Sequence, residues 1–134
     1  MERPADIVLS QAVMEHVDDF QVQYAAMFDA LVGGGMISHE IDFKSHHFAR
    51  DWNGHWTFGE AEWRIVRGRR TWAINRAPMS AHVAAMEVAG FTVAKIYRIS
   101  EPSRLDRSRF QPAFASMPIE DVTTGSALIQ AIRP

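Results

Sequence analysis

The chain has 134 residues, of which 47% are hydrophobic and 22% charged, and this composition is typical of one soluble globular domain. It has no cysteine, so disulfides, thiolate zinc sites and cysteine nucleophiles are excluded. The 14 Lys and Arg residues against 16 Asp and Glu give a net charge of −2, which argues against a nucleic-acid partner. No apolar run approaches the roughly 20 residues that span a bilayer, and we expect a cytoplasmic protein without membrane contact.

The first third of the chain predicts a strand–helix–strand unit. Residues 6–10 form an apolar run typical of a strand buried on both faces of a parallel sheet. Apolar residues then recur at helical spacing over residues 19–32, and Gly33–Gly35 is predicted to cap that helix. Residues 36–41 are a second strand. Two strands joined by a helix in so short a span should be parallel, with a right-handed crossover.

Residues 42–76 break this pattern and contain all four tryptophans. Thr57 and Glu60 have capping-box spacing, which predicts a short helix over residues 58–67. We interpret the segment as a cap inserted over the sheet. Its tryptophans are candidates for an aromatic wall around a flat or sugar-like substrate, or for core packing.

The last third predicts one more helix and two more strands. Pro78 suits the first turn of a helix that ends at Gly90, and residues 91–98 alternate as a third strand. Residues 99–118 are polar and contain proline, which indicates a loop with a short helix. Residues 127–133 form the closing strand.

This order of elements resembles the second half of class I S-adenosylmethionine-dependent methyltransferases. Four segments carry the resemblance. Residues 6–17 resemble the family's fourth strand and the turn after it, and residues 31–36 resemble the Gly-Gly segment that enters the fifth strand. Ala89–Phe91 resembles the joint before the sixth strand, and Ser126–Arg133 resembles the closing antiparallel strand. The resemblance implies an α/β fold, half of a Rossmann-like sheet with strands four, five, seven and six and an α-helical cap. It also implies one truncated domain over residues 1–134.

The insertion has a looser resemblance of its own. His39–Asp42, Lys44–His46 and Trp72–Arg76 are similar to a bacterial subgroup of type-11-like methyltransferases. Some members of that subgroup are associated with sugar or polysaccharide modification.

The family's Gly-rich cofactor loop should precede Asp6. The run Gly33–Gly35 follows a helix and precedes a strand, whereas a nucleotide loop needs the opposite order. We therefore expect the chain alone to bind S-adenosylmethionine weakly or not at all. An incomplete sheet would have a bare edge and uncovered faces, which favours a homodimer over that surface or rearranged packing that hides it.

Ser10, Gln11 and Ala12 end the first strand, where open α/β sheets bind their ligands. The resemblance places these residues beside the methionine part of the cofactor, and the alternative is an ordinary turn. Glu15 and His16 follow, near the cofactor and substrate mouth by the same resemblance. His16 can act as a base near neutral pH or can be a buried structural histidine.

A second group of polar residues follows the second strand. His39 and His46 are candidates to remove a proton from a hydroxyl acceptor, and Asp42 is a candidate to bind the substrate. His47 belongs to the same group. The spacing matches no established metal motif, so we predict no metal, and the alternative for each residue is a structural or surface role. Asn75 and Arg76 suit an acidic or hydroxylated substrate, or a capping role in the preceding loop.

The function implied by the resemblance is methyl transfer from S-adenosylmethionine to a small, oxygen-bearing acceptor, by a chain inactive on its own. The alternative is a non-catalytic module that associates with itself or completes a partner.

Overall fold

The first two strands lie side by side and run in the same direction. In the computed structural model, which describes residues 3–134, β1 (Ala5–Gln11) pairs with β2 (Leu31–Asp42) in parallel. The register runs from Ile7 opposite Met36 to Gln11 opposite Glu40. Helix α1 (Phe20–Ala30) connects the two strands. The predicted strand–helix–strand unit is therefore confirmed.

The remaining two strands complete a mixed sheet. β4 (Thr124–Ile132) is antiparallel to both β2 and β3 (Thr92–Ser100), and the strand order is β1-β2-β4-β3. The closing strand of the chain thus lies between the second and third strands. This is the predicted α/β sheet, with the order four, five, seven, six.

The glycine run does not cap a helix. Helix α1 ends at Ala30, and Gly33–Gly35 lies inside the first half of β2. The Gly34 amide donates to the Arg133 carbonyl at 2.9 Å, and the Arg133 amide donates to Gly35 at 2.8 Å. The predicted cap was wrong because Gly34 and Gly35 bond to Arg133, the residue just after β4.

One face of the sheet carries the main core. Helices α1 and α3 (Met79–Val88) pack there, and the alternating residues Ile37, His39 and Ile41 of β2 are all fully buried beneath them. Ile129 of β4 lies opposite His39 and is also fully buried. Each aliphatic side chain buried in this way stabilises the fold by about 1.5–3 kcal/mol.

The other face of the sheet is open. Leu9 of β1 is 69% exposed, and on β3 the side chains of Tyr97 and Ile99 are 62% and 52% exposed. The apolar run at residues 6–10 predicts a strand buried on both faces, whereas an incomplete sheet predicts uncovered faces. Only one face is covered, because every other residue of β1 points away from α1 and α3. We call Ile7, Leu9, Tyr97 and Ile99, which lie on the two outer strands, the open apolar face. Ser38 of β2 and Gln130 of β4 lie between them on the same face.

The segment between β2 and α3 forms the cap. It contains a 3₁₀ turn (Gly54–Thr57) and helix α2 (Glu60–Arg67), which confirms a short helix here. The predicted capping box is displaced, because the Glu62 carboxylate accepts from the Gly59 amide at 2.8 Å. Thr57 instead donates to the Gly54 carbonyl.

A small second core joins the cap to the segment after β3. That segment contains α4 (Pro112–Ala115) and α5 (Ile119–Val122). Trp56 is fully buried there against Phe110. Across residues 3–134, no helix combines the length and the apolar character that crossing a membrane requires.

Candidate active site

Four ionisable side chains meet just beyond the carboxyl ends of β1 and β2. Glu15 and His16 come from the 3₁₀ turn after β1, whereas Asp42 and His46 come from the end of β2. His46 Nε2 lies 3.3 Å from Asp42 Oδ2, and the His16 and His46 rings are 5.2 Å apart. His16 Nε2 is 3.9 Å from Glu15 Oε1. We call these four residues the acid–base cluster. Its members come together because parallel strands end at the same edge of a sheet.

Glu15 is the most deeply buried member of the cluster. Its side chain is 3% exposed, and neither carboxylate oxygen has a hydrogen-bond partner within residues 3–134. Burial raises its pKa to about 7, and the nearby charge of Asp42 acts in the same direction. A carboxyl group with a pKa near neutrality can donate or accept a proton at physiological pH.

The surroundings of His16 favour its neutral form. Burial lowers its pKa below the ordinary value, and repulsion from His46 adds to this effect. Its Nδ1 is buried and has no partner in the described part of the chain. A neutral imidazole with a free nitrogen can accept a proton.

Asp42 positions the other half of the cluster. One carboxylate oxygen accepts from the Lys44 amide at 2.9 Å, and the other faces His46. Such an oriented carboxylate fixes the orientation of the imidazole.

Backbone strain is concentrated around the cluster. Among residues 3–134, the non-glycine residues with positive φ are Ala12 (52°), His46 (48°), His47 (70°) and Arg76 (65°). Ala12 follows β1, the two histidines follow β2, and Arg76 follows a residue that contacts the turn of Glu15. Each such residue costs on the order of 1–3 kcal/mol, and strain of this kind is typical of functional sites.

The structure separates His39 from the acid–base cluster. Its ring is buried on the core face, with Nδ1 2.7 Å from Ser10 Oγ. Burial lowers its pKa to about 4. Gln11 is exposed at the end of β1, and the Ala12 amide donates to the Glu40 carbonyl at 3.0 Å. Ser10, Gln11 and Ala12 thus lie at the predicted ligand edge, although the Ser10 hydroxyl is already bonded.

Asn75 holds the turn that carries Glu15 and His16. Its Nδ2 donates to the carbonyls of Met14 and Val17 at 2.9 and 2.8 Å, and its amide donates to the Glu15 carbonyl at 2.7 Å. The contacts observed for Asn75 are therefore those of a positioning residue. They span about 60 positions in sequence, so no local signal indicates them.

Arg76 is buried within the cap. It donates to the Phe58 carbonyl at 2.8 Å and to Glu60 Oε2 at 2.9 Å. Its guanidinium carbon lies 4.8 Å from the Trp63 ring centroid and 5.2 Å from that of Phe114. Burial lowers its pKa, against the favourable charge of Glu60.

In the described range 3–134, no group of three or more His, Cys, Asp or Glu side chains is arranged to hold a metal ion. Ser10, Gln11 and Ala12 lie at the carboxyl end of β1, the edge at which open α/β sheets bind their ligands. The glycine run lies within β2, bonds to Arg133 and offers no cradle of helix amides.

Solved structures share this fold. An S-adenosylmethionine-dependent methyltransferase from Mesorhizobium loti has a TM-score of 0.60 at 13% identity, over 96% of this chain and 62% of that one. The N-methyltransferase NodS from Bradyrhizobium japonicum, in complex with S-adenosylhomocysteine, has a TM-score of 0.52 at 11% identity, over 100% and 48%. The cyclase SpnF has a TM-score of 0.57 at 14% identity, over 98% and 50%.

The chain thus has the fold of S-adenosylmethionine-dependent methyltransferases, and it spans about half to 62% of the length of these three structures. No protein-family model matches the sequence, and neither does any curated protein. At these identities the likeness shows the fold alone, and a cyclase with the same fold illustrates that fold does not determine reaction.

Proposed function

We propose that this chain forms part of a methyltransferase that transfers a methyl group from S-adenosylmethionine to a small, oxygen-bearing acceptor. The observation that carries the proposal is the acid–base cluster, which lies at the carboxyl ends of β1 and β2 in a sheet of methyltransferase strand order. The M. loti protein and NodS, which share this fold, are methyltransferases by name.

The cluster suits the removal of a proton from an acceptor hydroxyl. When bound, the cofactor would supply the methyl group as a sulfonium, a reaction that needs alignment more than covalent help. His16 is the first candidate to accept the hydroxyl proton, and the Glu15 carboxyl group, 3.9 Å from its Nε2, can stabilise the charge that forms on the imidazole. His46, oriented by Asp42, is the second candidate base.

We place the methionine end of the cofactor against Ser10, Gln11 and Ala12. Gln11 is exposed there and the strained Ala12 turn is adjacent, which leaves room for a ligand to approach the backbone. The placement of the glycine run within β2, bonded to Arg133, supports weak binding by residues 1–134 on their own. His39, Asn75 and Arg76 then support the site through internal contacts.

Amide chemical shifts test this placement even when binding is weak. Titration of the labelled chain with S-adenosylhomocysteine should shift the amides of residues 10–16 before any others, and titration with adenosine alone should shift them less. Shifts confined to another surface, or none at millimolar ligand, would exclude the proposed cofactor edge. One-to-one calorimetric binding at micromolar concentration would contradict weak binding while supporting the site.

A second candidate function is a self-associating or partner-completing module, and the open apolar face favours it. The surface area of 7854 Å² exceeds the about 7,100 Å² expected for a monomer of this mass. We therefore propose a homodimer through this face, and light scattering measures its mass directly.

A further inference from the structure

A cleft of about 290 Å³ opens beside the acid–base cluster. Its lining residues are His46, His47, Phe48, Val66, Arg70 and Trp72. We call it the aromatic–arginine cleft. Because His46 belongs to both, the cleft is continuous with the acid–base cluster.

The floor of the cleft is a pair of stacked aromatic rings. The centroids of Phe48 and Trp72 are 5.3 Å apart, with 29° between the ring planes. Trp63 packs edge-on against Phe48 from the core side, and this contact holds the pair in place. Trp72 is nevertheless 55% exposed, unlike the buried Trp56 and Trp63. An exposed, braced indole offers a flat surface on which a planar ligand can stack.

Arg70 supplies a fixed positive charge over the same rings. Its guanidinium carbon lies 5.9 Å from the Phe48 centroid and 6.0 Å from that of Trp72. One guanidinium nitrogen, Nη1, donates to the carbonyls of Val66 and Arg67 at 2.6 and 3.3 Å, which ties the side chain to the end of α2.

The remaining donors of Arg70 have no acceptor within residues 3–134, and no carboxylate in that range pairs with it. The ion pairs found there are Lys44–Glu101, Asp42–His46, Arg67–Asp18, Arg76–Glu60 and the Glu15–His16 contact. A guanidinium that is positioned and unpaired is suited to a carboxylate or another planar anion.

We infer that the acceptor is a planar acid, an aromatic or conjugated ring that carries a carboxylate and a hydroxyl group. It stacks on Trp72 with its carboxylate on Arg70 and directs its hydroxyl towards His46 and His16. The inference rests on the proposed function for the direction of the hydroxyl. The binding of the acid itself depends only on the cleft.

Calorimetry with 4-hydroxybenzoate as the probe tests the cleft. Two other compounds separate its features: 4-hydroxybenzyl alcohol keeps the ring without the charge, and cyclohexanecarboxylate keeps the charge without the flat ring. Arg70→Gln removes the fixed charge. Arg69→Gln is the matched control, because Arg69 is also exposed and adjacent but does not line the aromatic–arginine cleft.

We expect 4-hydroxybenzoate to bind, and Arg70→Gln and Trp72→Leu each to weaken it about tenfold or more. Arg69→Gln should change binding less than twofold, and both other compounds should bind at least about tenfold more weakly than the probe. Equal loss in the two arginine variants, equal binding of the three compounds, or no binding at millimolar probe would each overturn the inference.

The two proposals fail separately. Shifts of residues 10–16 with S-adenosylhomocysteine, combined with no 4-hydroxybenzoate binding, would overturn the planar-acid inference and leave the cofactor edge in place. Arg70-dependent binding of 4-hydroxybenzoate without those shifts would support the cleft and count against methyl transfer.

Discussion

Ser10 Oγ lies 2.7 Å from His39 Nδ1, so the two parallel strands are joined by their side chains as well as by their backbones. A second pair lies close by, where Tyr24 Oη is 3.0 Å from His82 Nδ1. The Nε2 atoms of both histidines are buried without a partner in the described range. A polar network therefore lies within the core, directly below the strand ends that carry the candidate site.

Replacing Ser10 with Ala should destabilise the fold by about 1–3 kcal/mol, because it leaves the buried His39 Nδ1 without a partner. Ser100→Ala is the control, since Ser100 is exposed at the end of β3 and should cost less than about 0.5 kcal/mol. Urea unfolding of both variants measures the difference. Equal midpoints would mean that the Ser10–His39 contact contributes nothing.

Acid should unfold the protein through its buried histidines. Burial lowers the pKa of His39 to about 4, and those of His55 and His82 to about 3, whereas an unfolded histidine titrates near 6.5. Their contribution is fully present above pH 6.5 and is lost as the pH falls below it, because the unfolded chain binds the protons. Glu15 has the opposite effect on stability. Its pKa is 4.5 in the unfolded chain and about 7 in the folded chain, so between these values the folded chain binds one more proton at this group. Between about pH 5 and 6 these four groups give two net protons and a slope of about 3 kcal/mol per pH unit. The lowered pKa of His16 acts in the same direction as those of the other histidines.

Urea unfolding at pH 7, 6 and 5 measures that slope. His82→Phe removes one of the three protons and should lower the slope by about 1.4 kcal/mol per pH unit, whatever its effect on stability at pH 7. The phenyl ring can retain the stacking on Phe20, whose centroid is 4.3 Å from that of His82. An unchanged slope in this variant would show that His82 is not neutral in the fold.

Glu15→Gln should stabilise the protein at high pH relative to low pH. The raised pKa of Glu15 means that the folded state keeps a proton which the unfolded state releases above pH 4.5. Glu15 alone therefore lowers the stability of the wild-type chain by up to about 3 kcal/mol as the pH rises from 4.5 to 7, against the larger gain from the histidines, and the glutamine variant lacks this loss. The informative quantity is the difference in unfolding free energy between variant and wild type across pH. A difference that does not change with pH would show that folding leaves the pKa of Glu15 unchanged, as expected for a carboxyl group exposed to water.

The sheet could be predicted from the sequence, whereas the internal contacts of the site could not. The order β1-β2-β4-β3 follows from apolar patterning and from the family resemblance, both of which are properties of short segments. The same patterns placed residues 10–12, His16, Asp42 and His46 at the strand ends. The pattern of a short segment does not indicate which residues far away in the sequence it will contact. The Asn75 bonds to the turn of Glu15 and the pairing of Gly34 with Arg133 therefore appear only in the folded chain.

Alanine substitutions at Gly90 and Gly34 distinguish the cost of backbone strain from the cost of steric overlap. Both have positive φ, 103° and 81°, but a Cβ at Gly90 would lie 2.9 Å from the Phe28 ring, whereas one at Gly34 meets nothing within 4 Å. Gly34→Ala should cost about 1–2 kcal/mol from conformation alone. Gly90→Ala should cost about 1–3 kcal/mol more, because the joint between α3 and β3 must move away from Phe28. Thermal unfolding of the two variants tests this order, and equal losses would contradict the predicted overlap.

The open apolar face predicts how the chain associates. β1 is an edge strand with Leu9 69% exposed, and Tyr97 is 62% exposed on the same face of the sheet. Light scattering should give twice the chain mass of 15.1 kDa. Leu9→Lys combined with Tyr97→Lys should shift the mass to that of the monomer, because a second copy cannot bury these charges without partners. Val88→Lys is the control, since Val88 is 88% exposed on α3 and lies away from that face. A wild-type monomer, or equal dissociation by the Val88 control, would show that a second copy does not cover this face.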